Sequence, residues 1–167
     1  MTIAEFDHLD IDKKKELLQN CCGSTAWVNK MLKALPANDL IDLLEDADDK
    51  WNECSPEDWK EAFRHHPVIG DLQSIKEKFT LTSEWAKDEQ EGAGEISEET
   101  AKALAEENKR YFEKFGYIFI VYATGKSAKE MLVILQNRLQ NNPEDEIKIS
   151  ASEQISITKN RLQKLFT

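Results

Sequence analysis

Apolar residues recur at three- and four-residue intervals along most of the chain, which is the period of an α-helix with one buried face. Segments with this pattern in the first half are residues 12–20, 24–35, 39–54 and 55–64, with shorter ones at 72–79 and 83–91. Those in the second half are residues 97–115, 128–140 and 142 to the end. The pattern predicts an all-α fold, a single compact domain of about eight helices over residues 1–167.

Capping residues indicate where several of these helices begin and end. Ser55 precedes a proline and two acids, so a helix should begin there, and Pro67 should end it near Arg64. Gly116 should end the long helix of residues 97–115, and Ser127 opens a capping box. The last helix is predicted to bury one apolar face: Ile147, Ala151, Ile155, Leu162 and Leu165.

Residues 117–123 form the longest apolar run, rich in β-branched and aromatic side chains. The composition suits a β-strand. The chain contains no second run of this kind to pair with it, and an isolated strand is not stable. We therefore expect an extended break between helices, or a continuation of the preceding helix.

The charge and the cysteines limit the classes of partner and compartment. A net charge of −10 argues against nucleic acid and against an anionic membrane surface. No apolar run approaches the roughly 18 residues of a membrane span, and the first ten residues lack the pattern of an export signal. Three cysteines without such a signal favour a reducing compartment, so a cytoplasmic protein is expected.

Three sequences that suggest known ligand sites lack a necessary residue. Gly125 precedes a lysine and a serine, but Ile120 stands where a phosphate-binding loop needs its first glycine. The acidic segment from Asp46 has Lys50 and Trp51 where a calcium loop needs an oxygen ligand and a glycine. Cysteines and histidines lack the paired spacing of a zinc site. No metal is expected.

The pair His65 and His66, directly before Pro67, is the feature that could carry proton chemistry. Histidine titrates near neutral pH, and this pair lies where a proline should end a helix. Histidine is also ordinary at the C-terminal end of a helix, where it serves as a capping residue. On spacing alone the capping interpretation is the stronger one.

Two further groups of polar residues share a helix face at three- and four-residue spacing: Ala86, Glu89 and Gln90 on the short helix, and Gln154, Thr158 and Arg161 on the last. Glu89 lies in an acidic segment, so a solvated carboxylate is its simplest interpretation. For Arg161 the simplest interpretation is a solvated cation.

Four segments in order resemble the 2-oxo-4-hydroxy-4-carboxy-5-ureidoimidazoline (OHCU) decarboxylases of uric acid degradation. They are HPVIG at 66–70, WAKDEQ at 85–90, FGYIFIVYATGKS at 115–127 and ITKNRL at 157–162. Each motif is short, and the specificity comes from their order over nearly the whole chain, from about Phe6 to the C-terminus. The resemblance implies an all-α fold with a pocket where the four segments meet.

The resemblance also implies a role for each matching residue. His66 would be the catalytic histidine, and Glu89 would bind the ligand and orient that histidine. Substrate contacts are implied for Pro67, Ala86, Gln90, Phe119, Ile120, Val121, Tyr122, Ala123 and Arg161. Many relatives carry a serine at the position of Ala86, so a hydroxyl contact would be lost there.

A decarboxylase of this kind needs no cofactor, because the carbon–nitrogen double bond of the substrate ring can accept the electron pair that CO2 leaves behind. The expected partner is a small anionic substrate, and family resemblance suggests a homodimer. Two alternatives are a helical binding module without turnover and an acidic interaction protein. Stereoselective formation of allantoin would exclude the first, and stabilisation by allantoin would exclude the second.

Overall fold

The computed structural model describes residues 1–67 and 97–167, and all regular secondary structure in these ranges is helical. The eight helices are α1 Ile3–Asp7, α2 Ile11–Cys21, α3 Thr25–Ala34, α4 Leu40–Asn52, α5 Pro56–Arg64, α6 Glu98–Phe115, α7 Ala128–Arg138 and α8 Pro143–Leu165. The all-α prediction is confirmed. The helices predicted at 72–79 and 83–91 lie outside the described residues. None of the described helices is long and apolar enough to span a bilayer.

The predicted caps lie at the observed helix ends. The Ser55 side chain accepts from the backbone N–H of Asp58 at the start of α5. Gly116 ends α6 with φ of 81°, in the left-handed region where glycine is favoured. Helix α1 was not predicted, although its signal is present: Thr2 and Glu5 form a capping box.

The described chain divides into two units. The first unit comprises Met1–His66 and Ile147–Thr167, and the second comprises Pro67–Glu146. The division falls within α8, whose first residues belong to the second unit. The expectation of one domain over residues 1–167 stays a prediction.

In the first unit, α3 packs against α2, α4 and α5. Tryptophan side chains connect its helices through their indole N–H groups. Trp27 donates to the Ala47 carbonyl at 3.0 Å, and Trp51 donates to the Ala151 carbonyl of α8 at 2.9 Å. Both indoles are buried, so leaving either N–H group without its acceptor would destabilise the folded state. These bonds fix the register of α3, α4 and α8 within this unit.

In the second unit, α6 packs against α7. Residues 117–123 between them form neither helix nor strand, so the expected break between helices is confirmed and the alternative, a continuation of α6, is wrong. Tyr117 and Ile120 are buried there, and Tyr111 of α6 stacks edge-on against Tyr117 and Phe119. The segment is therefore held by side-chain packing in place of a strand ladder.

The apolar face predicted for α8 is only partly correct. Ala151 and Leu162 are buried, but Ile147, Ile155 and Leu165 are half-exposed. The buried face instead carries polar residues at four-residue intervals: Glu146, Ser150, Gln154 and Thr158. A four-residue interval follows one helix face, so this polar row occupies positions that an apolar pattern would assign to the core.

Candidate functional site

His66 lies immediately after the last turn of α5. The helix ends at Arg64, with His65 as its C-cap, and the His66 backbone N–H still donates to the Phe63 carbonyl at 3.2 Å. Pro67 follows and prevents another helical turn. The His66 side chain is half-buried, so the ring is held by the protein and keeps partial access to solvent.

The His66 ring contacts the polar row of α8. Its Nε2 lies 2.5 Å from Oε1 of Gln154, which is 1% exposed. Nε2 of Gln154 donates to Oγ1 of Thr158 at 3.2 Å, and that hydroxyl donates to the Gln154 backbone carbonyl at 3.0 Å. His66 is therefore hydrogen-bonded to Gln154 and, through it, linked to Thr158, a second buried side chain one helical turn further along α8.

Two buried thiols lie beside this network. Burial raises the pKa of Cys22 to about 12, and hydrogen bonds from the Ser24 backbone and the Thr158 side chain oppose that rise only in part. Burial likewise raises the pKa of Cys21 to about 11, against the nearby charge of Arg161. Both groups are neutral thiols near pH 7 and poor nucleophiles.

Arg161 is more exposed than His66, the other predicted site residue in the first unit. Its side chain reaches the end of α2, where Nη1 donates to the Cys21 carbonyl at 3.2 Å. A cation there also interacts favourably with the negative end of the helix dipole. The arginine therefore has a structural partner and still presents a guanidinium to solvent.

His65 packs on Gly23. A Cβ atom placed at Gly23 would lie 2.3 Å from Cγ and 2.5 Å from Cβ of His65, well inside contact distance. Only glycine leaves room for the His65 ring at this approach. The two adjacent histidines thus have different surroundings, and only His66 contacts Gln154.

The segment Phe119–Ala123 belongs to the second unit and is anchored there by Arg138. The Arg138 Nη1 donates to the Ile120 carbonyl at 2.5 Å, and its guanidinium lies 4.7 Å from the centre of the Phe119 ring. Phe119, Val121, Tyr122 and Ala123 are half-exposed, whereas Ile120 is buried. The backbone of the segment is held from one side while its other side chains stay accessible.

Arg138 is itself held by buried acceptors. Its Nε donates to Oε1 of Glu146 at 2.6 Å, and Tyr111 donates its hydroxyl to the same oxygen at 2.6 Å. Asn141 donates to the other carboxylate oxygen at 2.9 Å. Arg138 and Glu146 are 6% and 0% exposed, so protein groups such as these, in place of water, compensate their charges.

The residues predicted for the site fall in three places. His66 and Arg161 lie in the first unit, and Pro67 and Phe119–Ala123 lie in the second. Ala86, Glu89 and Gln90 lie outside the described residues. The roles of all of them stay predictions. Within the described ranges, no group of three or more His, Cys, Asp or Glu side chains could hold a metal ion.

Three residues hold the predicted site residues: the sequence placed Gln154 and Thr158 on the helix face of Arg161 without assigning them a role, and it gave no indication of Arg138. A signal for the first two was present, because polar side chains recur every four residues on α8 where a buried face was expected. Nothing in the pattern around Arg138 distinguishes it from a solvated cation at a helix end, since its contacts come from residues 18 and 27 positions earlier in the chain.

Comparison with known proteins gives one consistent result. The family model described as OHCU decarboxylase matches residues 7–163. The "Uric acid degradation bifunctional protein TTL" of Arabidopsis thaliana is 34% identical over 147 residues, 88% of this chain and 45% of that protein. The "Uric acid degradation bifunctional protein" of Bacillus sp. (strain TB-90) is 28% identical over 99% of this chain and 32% of that protein. The chain spans less than half the length of these curated relatives.

A solved structure also matches over nearly its full length. It is described as "Crystal structure of OHCU decarboxylase in the presence of (S)-allantoin" and is 35% identical. The TM-score is 0.73, over 91% of this chain and 97% of that one. The fold and the sequence therefore indicate the same relatives.

Proposed function

The chain belongs to the OHCU decarboxylase family of uric acid degradation, and from that premise we propose that it converts OHCU to (S)-allantoin as a carboxy-lyase. The observation that carries the proposal is the match over residues 7–163, together with a 35% identical solved structure whose description names both the decarboxylase and (S)-allantoin. His66, the candidate acid–base residue, lies within that match and is held by a buried amide.

The reaction needs an electron acceptor and a controlled proton. When CO2 leaves, its bonding pair passes into the neighbouring carbon–nitrogen double bond of the substrate ring, and the ring nitrogen takes up a proton. The resulting ene-amine then loses the hydroxyl proton and receives a proton on the carbon that bears the ureido group. Protonation from one face alone gives the (S) product. A histidine with a pKa near neutral pH is suited to this exchange.

We assign that exchange to His66. Its half-buried ring is accessible to a ligand and is fixed by Gln154, so a proton would be delivered from a constant direction. Glu89 is proposed to orient the histidine and to favour its charged form. Gln90, Pro67 and Ala86 are proposed as further substrate contacts beside them.

Phe119–Ala123 are proposed to bind the planar ring, largely through backbone groups. Support comes from the arrangement in the second unit, where Arg138 fixes the Ile120 carbonyl and the neighbouring residues remain half-exposed. A preorganised backbone costs no rearrangement when charge develops on the ring. Arg161 is proposed to bind the anionic or ureido end of the substrate, for which an overall charge of −10 requires a local cation.

The decisive experiment mixes the protein with freshly generated OHCU and follows allantoin by circular dichroism. We expect the signal of (S)-allantoin to appear faster than spontaneous decay, with a rate proportional to protein concentration. Racemic allantoin at the spontaneous rate would contradict the proposal. Stabilisation by allantoin without turnover would instead identify a binding module.

A further inference from the structure

Gln154 is a buried amide that neither the sequence pattern nor the family resemblance assigns a function, yet it contacts the candidate catalytic ring. We propose that Gln154, oriented by Thr158, is a positioning residue that keeps the proton of neutral His66 on Nε2 and fixes the ring for proton exchange with the substrate. This inference rests on the proposed function for its catalytic meaning, but the position of the proton can be measured without turnover.

The argument begins at the Thr158 hydroxyl. Its Oγ1 lies 3.0 Å from the backbone carbonyl of Gln154, one helical turn earlier. A carbonyl oxygen can only accept a hydrogen bond, so the hydroxyl proton is directed to it. The lone pairs of Oγ1 are then left to accept, and the group 3.2 Å away is the side-chain amide of Gln154.

The amide orientation follows from this. An acceptor at Thr158 selects the NH2 end of the Gln154 side chain, which places Oε1 on the opposite side, toward His66. Reversing the amide would place Oε1 against Thr158, and the Thr158 hydroxyl would then have to give up its bond to the Gln154 backbone carbonyl in order to donate to Oε1.

The state of the ring follows in turn. Oε1 of an amide only accepts, so the hydrogen in the 2.5 Å contact belongs to Nε2 of His66. A neutral imidazole carries one proton, which leaves the lone pair on Nδ1. Nε2 therefore stays protonated in both charge states of the ring, and the change of charge takes place at Nδ1.

The chain supplies two internal references for the measurement. Nδ1 of His8 lies 2.6 Å from the Ala4 carbonyl on α1, so neutral His8 should carry its proton on Nδ1. His65 is exposed and has no such contact with Gln154. The three histidines of the sequence should thus give three different nitrogen patterns in one spectrum.

The experiment records long-range 1H–15N spectra of the full chain with 15N-labelled histidine, at a pH where the rings are neutral. We expect Nε2 of His66 to be fully of the protonated type, and His8 to show the reverse pattern. Thr158→Val should shift His66 toward the mixed distribution of His65, because the amide loses the acceptor that orients it. Thr158→Ser should restore the original pattern.

A matched control lies on the same helix. The Ser156 hydroxyl donates to the Ser152 carbonyl at 3.1 Å, the same bond that Thr158 makes, but at an exposed site away from His66. Ser156→Ala should leave the nitrogen pattern and the turnover unchanged. If Thr158→Val matches Ser156→Ala in both, the inference is overturned.

Turnover provides a second, separate measurement. Gln154→Leu, which keeps the volume and removes the acceptor, should lower kcat by about 10²-fold with a much smaller change in KM, as expected when a reacting group is misplaced. A loss of thermal stability with unchanged kcat would show a structural role alone and contradict the inference. If the unaltered protein yields no (S)-allantoin, the proposed function fails, while the nitrogen spectrum still decides where the proton lies.

Discussion

At the scale of single residues, the two adjacent histidines have separate environments although the sequence makes them look equivalent. His66 contacts a buried amide, and His65 packs on a glycine. The side chains of adjacent residues after a helix end point in different directions. Here it is His66 that contacts Gln154 of α8. The structure therefore allows the chemical role of the pair to be tested one residue at a time.

We expect His66→Asn to lower kcat by about 10² or more, the usual contribution of a general acid–base residue, because the amide side chain cannot exchange a proton near neutral pH. The measurement is the initial rate of (S)-allantoin formation. His65→Ala is the matched variant and should have a mild effect. If His65→Ala is the crippling change, the catalytic role belongs to the other histidine.

The buried Cys22 thiol gives a prediction about stability at high pH. Its pKa is about 12 in the folded protein and near 9 when unfolded, so above pH 9 the unfolded chain loses this proton first. The stability that the neutral thiol contributes should therefore be complete below pH 9 and be lost as pH rises toward 12. The difference in unfolding free energy between the unaltered protein and Cys22→Ala, measured in urea at several pH values, should shrink over that window.

Subtracting the Cys22→Ala values removes the titration of lysines common to both proteins. Cys54 serves as a reference, because burial raises its pKa only to about 11 and its loss of stability should end earlier. A difference that stays constant from pH 8 upward would show that the Cys22 thiol ionises equally in both states.

At the scale of elements, helix boundaries were predictable because their signals are local. Ser55, Ser97 and Ser127 each accept from a backbone N–H three residues later, so both partners lie close together in the sequence. The four-residue spacing of the polar row on α8 is visible in the sequence, but its burial was not predictable. Gln154 is buried because His66 lies against it, and these residues are 88 positions apart. Periodicity indicates which positions share a helix face, but it does not indicate which residues pack against that face.

The anchored segment Phe119–Ala123 gives a prediction at this scale. Arg138→Met should destabilise the protein by about 3–5 kcal/mol, because Glu146 would remain buried without its cation. The measurement is the unfolding free energy in urea. Arg110→Met is the matched control: Arg110 is 61% exposed, and loss of its pairs with Glu106 and Glu107 should cost about 1 kcal/mol or less. Equal effects of the two substitutions would contradict the anchoring role.

At the scale of the whole molecule, the sequence predicted the fold class and, through family resemblance, the relatives. It did not predict the division of the described chain into two units, because contacts between distant segments define them. The same limit applies to the site. The candidate residues were found by their similarity to known motifs, while their physical supports, Gln154 and Arg138, required coordinates.

Ligand binding should be visible as a change in the stability of the whole molecule. A ligand that binds only the folded state at ten times its Kd adds about 1.4 kcal/mol, which is a rise in Tm of about 3–6 °C for a chain of this size. We expect (S)-allantoin to produce such a rise, measured by differential scanning fluorimetry. Arg161→Ala should reduce it, because the guanidinium is the proposed contact for the ureido end.

The control for Arg161 lies two residues earlier on the same helix. Lys159 is a half-exposed cation that pairs with Asp48, and Lys159→Ala removes a positive charge without touching the proposed site. An equal loss of the thermal shift in both variants would indicate a general electrostatic effect in place of a specific contact.

Because Gly23 contacts His65, we expect position 23 to influence the proposed catalysis from a distance. An added methyl group would overlap Cβ and Cγ of His65, atoms that a rotation of the ring cannot move away, so the backbone after α5 would have to shift. The next residue along that backbone is His66. Gly23→Ala should therefore impair turnover like a change in the catalytic residue itself, although alanine removes no functional atom; an unaltered kcat would show that the strain is absorbed at His65 alone.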